Sequence, residues 1–273
     1  MRNWSAPDTD SRFAPVDGLR VHYKRAGQGR RAVLLLHGSG SSLHGFDRVA
    51  ARLAASFDVI RPDLPGFGLT GPRPDRDYRV PAYASTVDRF MEALGVPGYA
   101  VVGSSLGGNI AWNLALDHPA RVDALILVNA TGYPEKSLPQ GLRLARSPLL
   151  RPLLRRWLPR GVTERNLRSL VGPRAVVVDD AMVDRVHALT SLPGNRSALI
   201  DFANTVQADR SPEIPRISVP TAVLRSGSVD GQRFARDIPG SRELIHADGG
   251  HLLPEEDPDW VAAAVEEFLG HPR

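Results

Sequence analysis

The chain of 273 residues contains no cysteine. Disulfide bonds, thiolate nucleophiles and Cys-ligated zinc or iron–sulfur sites are therefore excluded. No apolar run approaches the roughly 18 residues that a membrane-spanning helix needs. The first residues are polar and acidic and lack the apolar stretch of a secretory signal. We therefore expect a cytoplasmic protein without a membrane span.

Lysine is almost absent, because 32 of the 34 basic residues are arginine and only Lys24 and Lys136 are lysine. The formal net charge is +4, since 30 acidic residues offset most of the basic ones. A basic chain can bind nucleic acid, but the sequence has no zinc-finger spacing, RNA-binding motif or basic-region heptad. Nucleic acid is therefore not an expected partner. The length suffices for one domain with an insertion or for two domains.

Short apolar runs alternate with segments of helical periodicity along most of the chain. The runs predict strands over 13–16, 19–25, 32–36, 57–60, 99–102, 124–128, 221–224 and 243–245. An Asp17-Gly18 turn joins the first two runs as a hairpin. Helices are predicted over 46–55, 83–94, 106–117 and 257–269. This alternation is typical of an α/β fold with a mostly parallel sheet and helices on both faces.

Residues 132–219 interrupt this alternation. Prolines recur there, and Ala175–Val178 is the one strand candidate. A stripe with helical spacing consists of Leu149, Leu150, Leu153, Leu154, Trp157 and Leu158. We predict a largely helical insertion over 132–219, between core segments 1–131 and 220–273. The stripe is expected on its underside, above an apolar pocket.

The sharpest motif is Gly103-Ser104-Ser105-Leu106-Gly107, which has the form G-x-S-x-G. It follows a predicted strand and precedes a predicted helix, the context in which this motif presents a nucleophile. The turn is sharp and strained, so the middle residue needs small neighbours. Ser105 then stands at a helix N-terminus, where N–H groups stabilise developing negative charge. The alternative is a chance match in a Gly-Ser turn.

A serine nucleophile also needs an oxyanion hole, which is a pair of N–H donors aimed at the developing charge. The N–H of Leu106, the residue after the nucleophile, is the first candidate. The segment His37-Gly38-Ser39-Gly40 follows an earlier predicted strand, and the N–H of Ser39 is the second candidate. His37 itself is interpreted as a structural turn residue. No other metal ligands cluster with it in sequence, so no metal and no cofactor are expected.

A general base and an acid are expected later in the chain. His251 lies in Gly249-Gly250-His251-Leu252, between a predicted strand and the last helix, and is the candidate base. Asp230 follows the strand that resumes the sheet. It is expected to accept a hydrogen bond from His251 and so hold the imidazole in the required tautomer. Asp237 and Asp248 are the alternative acids, because aspartates are common in loops.

In this order, these motifs and the loop Asp63–Gly68 resemble those of the α/β-hydrolase superfamily, over nearly the whole chain. The resemblance implies an eight-stranded sheet with a helical cap, or lid, after the sixth strand. It implies a triad of Ser105, His251 and Asp230, with Ser39 and Leu106 as oxyanion donors. Substrate contacts are expected at Gly38, Ser104 and Trp157. The interval between Asp230 and His251 is short for this superfamily, so the acid stays open.

Serine at the nucleophile position narrows the reaction, because relatives that open epoxides or displace halide carry aspartate there. The first hypothesis is a serine hydrolase that cleaves a carboxylic ester, or a related acyl bond, of a small-to-medium apolar substrate. The alternative is carbon–carbon hydrolysis of a vinylogous diketone ring-fission product, although Ser41-Ser42 stands where that subfamily is expected to have Pro-Gly. A third hypothesis is a non-catalytic ligand receptor on the same fold.

The predicted cap is the most basic part of the chain. Residues 140–174 carry nine arginines and one acid, Glu164, for a local charge of +8, so the remainder of the chain sums to −4. Three interpretations stay open: a solvated helix face, a site for a carboxylate-bearing substrate, or weak peripheral contact with an anionic membrane. The expected partner in every case is a small-molecule substrate, and the oligomeric state stays open.

Overall fold

The computed structural model describes residues 3–134, 145–173 and 175–270. Eight strands form one sheet in the order β1-β2-β4-β3-β5-β6-β7-β8. Their bounds are β1 Arg12–Val16, β2 Leu19–Ala26, β3 Ala32–Leu36, β4 Asp58–Pro62, β5 Tyr99–Ser104, β6 Val122–Val128, β7 Thr221–Ser226 and β8 Arg242–His246. The expected eight-stranded sheet is therefore confirmed.

The sheet is mostly parallel. The pairs β1–β2 and β2–β4 are antiparallel, and every pair from β4 to β8 in the sheet order is parallel. All residues of β3 and β5 are buried, which explains why these strands read as continuous apolar runs. The chain leaves β3 toward β4 on one side and β5 toward β6 on the other. The loops after β3 and β5 therefore border the crevice where α/β sheets bind ligands.

The α-helices of the described residues are α1 Asp47–Leu53, α2 Val80–Ala93, α3 Leu106–Asp117, α4 Arg151–Arg156, α5 Arg160–Arg168, α6 Asp180–Thr190, α7 Asn195–Asn204, α8 Phe234–Asp237, α9 Leu253–Glu256 and α10 Pro258–Gly270. Two 3-10 turns cover Leu43–Phe46 and Ser211–Arg216. None of the helices in this part of the chain is long and apolar enough to cross a bilayer.

Helices cover both faces of the sheet, as expected. On one face α2 and α3 bury large side chains such as Tyr83, Phe90 and Trp112. On the other face α1 and α10 pack together and bury Leu53 and Val265. Each face therefore has its own apolar cluster. The buried strands between the two clusters hold in place the loops at their carboxyl ends.

Helices α4 to α7 lie between β6 and β7, so the described chain after the sixth strand is largely helical, and its role as a cap stays a prediction. We call residues 145–173 and 175–219 the cap segment. The predicted strand at Ala175–Val178 is wrong, because these residues form irregular backbone without a partner strand. Val178 is buried among cap residues while Val176 is 94% exposed. Asp179 then caps α6 by accepting a hydrogen bond from the Met182 N–H at 2.8 Å.

The leucine and tryptophan stripe does not form a single underside, so this expectation is also wrong. Only Leu153 and Leu154 of it lie in a helix, α4. Leu154 and Leu158 face the interior, where both line a cavity. Leu153 and Trp157 are more than half exposed instead. The helix turns through its whole circumference within its six residues and places the adjacent Leu153 and Leu154 on different sides. Of the nine cap arginines counted above, Arg143 and Arg174 lie outside the described residues.

Candidate active site

Ser105 lies at the junction of β5 and α3, with φ 54° and ψ −112°. A non-glycine residue in this region is strained by about 1–3 kcal/mol, and surrounding structure must hold it there. The Ser105 N–H donates to Val128 O at 3.1 Å, and Ser105 O accepts from Asn109 N–H at 3.0 Å. These bonds tie the turn to β6 and to the first turn of α3. The strained turn predicted from G-x-S-x-G is present.

The glycines of this motif are required by close backbone packing. A Cβ added to Gly103 would lie 2.3 Å from Gly107 O, and one added to Gly107 would lie 2.0 Å from Leu36 O. Both contacts are with backbone, which cannot move away as a flexible side chain could. The two glycines therefore let β5, α3 and the end of β3 meet around Ser105.

His251 is placed to act on this serine. Its Nε2 lies 3.0 Å from Ser105 Oγ, although the two residues are 146 positions apart in sequence. The separation is within the range expected of a base that accepts the proton of a nucleophile. The structure therefore brings together the two residues that the sequence motifs single out.

The loop that carries His251 is clamped by Glu256, a residue that the motifs do not identify. Glu256 Oε2 accepts from Gly250 N–H at 2.9 Å, and Oε1 accepts from Leu252 N–H at 3.0 Å. Oε2 also accepts from the N–H of Gly172 in the cap segment at 2.8 Å. One carboxylate therefore holds the backbone on both sides of the base and joins it to the cap.

Further contacts fix the same loop from the cap and from the sheet. The His251 N–H donates to Leu170 O of the cap segment at 2.6 Å. On the sheet side, the Asn129 Nδ2 donates to Gly250 O at 2.9 Å, and its Oδ1 accepts from Ser226 N–H at 2.9 Å. Asn129 is fully buried, with φ 44°. It links the ends of β6 and β7 to the base-bearing loop, and sequence motifs do not reveal it.

Asp230 borders the same cleft as Ser105 and His251, which does not by itself make it the partner of His251. Asp230 as the acid therefore stays a prediction. Among the alternatives, Asp237 is engaged elsewhere, because it accepts from the Tyr133 hydroxyl at 2.9 Å and pairs with Arg236 at 2.6 Å. Asp248 lies three positions before His251 and stays the other alternative.

The two expected oxyanion donors border the nucleophile. Ser39 and Ser105 line the same two cavities, and the N–H of Ser39 donates to no acceptor among the described residues. Leu106 is the first residue of α3, where the backbone N–H has no intrahelical acceptor. Both N–H groups are therefore free to receive an anionic oxygen. Their role as an oxyanion hole stays a prediction.

His37 is a structural residue of the loop after β3, as interpreted from sequence. It is fully buried, and burial lowers the pKa of its imidazole, which favours the neutral ring. Its Nδ1 donates to Gly38 O at 2.8 Å, and its Nε2 accepts from Leu64 N–H at 2.9 Å. Within the described ranges no group of His, Asp or Glu side chains is arranged to hold a metal ion.

Two cavities meet at Ser105. The first has a volume of about 170 Å³, and its wall is mostly apolar, with Leu154, Leu158, Val186 and Leu199 from the cap segment. The expected contact residues Gly38 and Ser104 lie in this wall. Trp157 does not, because it is 61% exposed on the outer side of the cap. Substrate contact by Trp157 therefore stays a prediction, while its neighbours Leu154 and Leu158 line this cavity.

The second cavity is larger and more polar. Its volume is about 890 Å³, and it is bordered by Asn109, Asn113, Gln207 and Arg210 as well as by Asp230. Ser105 and His251 border both cavities, so the reacting atoms stand between an apolar chamber and a polar one. This arrangement can accommodate two chemically different parts of a substrate on either side of the nucleophile.

Two charged side chains interrupt the apolar wall of the first cavity. The Glu255 side chain is 13% exposed, and its partial burial raises the pKa of its carboxyl even though it pairs with Arg185 of α6. Arg196 of α7 is half-buried and has no hydrogen bond or ion pair to any described residue. No sequence motif separates Arg196 from the other cap arginines, because only the fold brings it to the cavity.

The Glu256 clamp leads to a testable prediction. Replacing Glu256 with glutamine keeps the size of the side chain but turns an NH₂ group toward backbone N–H donors. We expect kcat to fall about tenfold or more, and the free energy of unfolding to fall by about 1–3 kcal/mol. Urea unfolding and initial rates on an aryl ester measure the two effects. Glu266→Gln, on an exposed pair with Arg52, is the matched control and should change neither. A Glu256→Gln enzyme with unchanged kcat would contradict the clamp's role.

The chain is similar to known proteins over most of its length. A family model described as "alpha/beta hydrolase fold" matches residues 31–258. The uncharacterized protein Rv2715 of Mycobacterium tuberculosis is 38% identical over 97% of this chain and 82% of its own length. A 2-hydroxy-6-oxononadienedioate/2-hydroxy-6-oxononatrienedioate hydrolase of Paraburkholderia xenovorans is 28% identical over 95% of this chain and 94% of its own length.

A solved structure extends this likeness to the fold. A mutant of the meta-cleavage product hydrolase from Pseudomonas fluorescens IP01 superposes with a TM-score of 0.81, covering 95% of this chain and 97% of that one. The two sequences are 22% identical, so the likeness concerns the fold alone. Together with the family match over most of the sequence, these findings establish that the chain belongs to the alpha/beta hydrolase family.

Proposed function

We propose that this chain is a serine hydrolase that cleaves a carboxylic ester, or a related acyl bond, of a small-to-medium apolar substrate. The observation that carries the proposal is the 3.0 Å separation between Ser105 Oγ and His251 Nε2 at a strained turn beside an apolar cavity. In this proposal Asp230 orients His251. Membership of a hydrolase family supports the reaction class, and the ester as substrate is our inference.

The proposed reaction proceeds through an acyl-enzyme. His251 accepts the proton of Ser105 as Oγ attacks the carbonyl carbon, and the N–H groups of Ser39 and Leu106 bind the resulting oxyanion. Collapse of this intermediate releases the alcohol, which takes the proton from His251. Water activated by His251 then attacks the acyl group and releases the acid. No cofactor is required in this cycle.

The two cavities suggest how such a substrate is oriented. An apolar acyl chain gains free energy from burial against the leucines of the first cavity. The alcohol and the attacking water suit the larger polar cavity, where hydrogen-bonding side chains are available. This division accounts for a nucleophile that borders both spaces. It predicts a preference for esters with an acyl part small enough for a chamber of about 170 Å³.

The second candidate is hydrolysis of a carbon–carbon bond in a vinylogous diketone that carries a carboxylate. The specific observation in its favour is Arg196, a guanidinium at the first cavity without an acidic partner among the described residues. Arginine binds carboxylates through paired hydrogen bonds, so it would recognise such a group. The relative from Paraburkholderia xenovorans is named for a dioate substrate, and this name supports the second candidate.

A direct comparison of substrates tests the two candidates. Purified protein would be assayed with a panel of aryl esters, thioesters and lactones, and separately with a ring-fission product of an aromatic diol. Turnover of esters at the higher kcat/KM supports the first proposal. Turnover of the ring-fission product alone supports the second. Absence of turnover in every assay would overturn both and favour a ligand receptor.

Arg196 allows a sharper prediction about the substrate. We expect Arg196→Leu to raise the KM for an aryl ester with a terminal carboxylate on its acyl chain by about tenfold or more, because a charge-assisted hydrogen bond is lost. The KM for the neutral ester of equal chain length should change little. Arg165→Leu, at an exposed arginine away from both cavities, is the control. If both esters lost affinity equally, Arg196 would not be recognising a carboxylate.

A further inference from the structure

The outer side of the cap carries an apolar ridge that the proposed reaction does not use. It consists of Leu149, Leu150, Leu153 and Trp157, which are 89%, 39%, 55% and 61% exposed. Single exposed apolar side chains are ordinary on soluble proteins, but contiguous groups mark surfaces that bind something. Four large apolar residues within nine positions form such a group. We call these four residues the cap ridge.

The cap ridge faces away from the protein because of how α4 packs. Leu154 contacts the small cluster of Ala145, Ile200 and Ala203, which fixes the inner side of the helix. Leu153 lies in α4, Leu150 precedes the helix and Trp157 follows it with extended backbone, and all three side chains are exposed. Side chains exposed to this degree protrude from the surface. They suit insertion into a soft layer better than docking into a rigid partner.

The charges around the cap ridge are predominantly positive. The cap segment carries eleven arginines against seven acidic residues, for a charge of +4. Arg155 pairs with Asp201, and Arg160 pairs with Asp180 and Asp184. Arg156, beside the ridge, is exposed and forms no ion pair with a described residue. Arginine near protruding leucine and tryptophan is the pattern of segments that lie in the interface of an anionic bilayer.

We propose that the cap ridge docks this protein onto an anionic lipid surface. Trp157 and the leucines would enter the boundary between headgroups and acyl chains, and Arg156 would contact lipid phosphates. The phosphates complement the positive cap, which a neutral or basic protein partner would not. This inference does not depend on which bond the enzyme cleaves.

Docking through the cap ridge would also bring the apolar cavity close to the bilayer. Leu154 and Leu158, on the inner side of the same segment, line the cavity that reaches Ser105. The docked surface and the wall of the apolar cavity are therefore two sides of one short stretch of chain. Apolar substrates that partition into a bilayer would be concentrated next to the cap.

Vesicle co-sedimentation of the full chain tests the proposal. We expect binding to vesicles of phosphatidylcholine mixed with an equal amount of phosphatidylglycerol to exceed binding to phosphatidylcholine alone by about tenfold at low salt, and to weaken as salt is added. The double variant Leu153→Ser/Trp157→Ser should bind the anionic vesicles about tenfold less tightly. Arg156→Glu should also weaken binding to the anionic vesicles, toward the level measured with phosphatidylcholine alone.

Matched variants keep the test specific. Val206→Ser removes an apolar side chain that is 86% exposed outside the cap ridge, and Arg242→Glu reverses an exposed charge on β8. Both should bind as the unchanged chain does, and all variants should keep its thermal unfolding midpoint. Absence of binding to anionic vesicles at low salt would overturn the proposal. So would equal binding to both vesicle types, or undiminished binding by the ridge double variant.

Discussion

Replacing Ser105 with alanine is expected to lower kcat on an aryl ester by about a thousandfold or more. The reason is that Oγ forms the bond to the acyl group, and no other hydroxyl stands 3.0 Å from His251 Nε2 among the described side chains. Initial rates under saturating ester measure the effect. Because the side chain is small and at the surface of the cavity, the variant should fold normally, as circular dichroism would check.

Two further variants delimit this result. His251→Ala should lower kcat by a similar factor, because nucleophile and base act as a unit and their losses do not add. Ser241→Ala is the control and should leave kcat unchanged. The Ser241 hydroxyl donates to Ala235 O, and both residues are far from Ser105 in sequence. A Ser105→Ala protein that retained a tenth or more of the activity would contradict the proposed role of this serine.

Gly107→Ala is expected to destabilise the protein by about 3 kcal/mol or more. Its new Cβ would lie 2.0 Å from Leu36 O and 2.8 Å from His37 O. Both oxygens belong to backbone at the carboxyl end of the central strand β3. Relief of this clash requires α3 to move away from β3, which would also displace Ser105. Urea unfolding monitored by fluorescence measures the loss of stability.

Gly161→Ala is the matched control for this prediction. A Cβ at Gly161 meets no atom within 4 Å, and the residue lies inside α5. Alanine is the better helix former there, so stability should be unchanged or rise by up to about 1 kcal/mol. If Gly107→Ala unfolded at the same urea concentration as the unchanged chain, the close packing around the nucleophile would be wrong.

Much of the fold could be predicted because its central strands are buried on both faces. Such strands are continuous apolar runs, and β3 and β5 were recognisable for this reason. The bounds of α3 were predicted to the residue, since a glycine-rich turn begins it and Pro119 follows its end. Local signals of this kind coincide with the tertiary structure.

The cap was harder to predict because its local signals are ambiguous. The apolar run Ala175–Val178 has the composition of a strand, but it has no strand edge to pair with. The stripe that contains Leu154 and Trp157 has helical spacing, yet it cannot reveal that one of these residues faces the cavity and the other the solvent. Pairing and packing between distant segments decide both outcomes.

Some residues of the candidate site could be predicted from the sequence and others could not. Ser105 and His251 were found because each lies in a short glycine-containing motif of known geometry. Glu256, Asn129 and Arg196 carry no such motif, and their roles arise from contacts with segments far away in sequence. Glu256 shows this most clearly, because its oxygens serve both the base-bearing loop and the cap.

Covalent labelling with a fluorophosphonate probe would show whether Ser105 is an activated nucleophile. The probe forms a phosphonate ester with an activated serine, and peptide mass spectrometry locates the adduct. We expect one adduct per chain, on Ser105, and no labelling of the Ser105→Ala variant. Absence of labelling in the unchanged protein, or an adduct on another residue that persists in Ser105→Ala, would contradict this expectation.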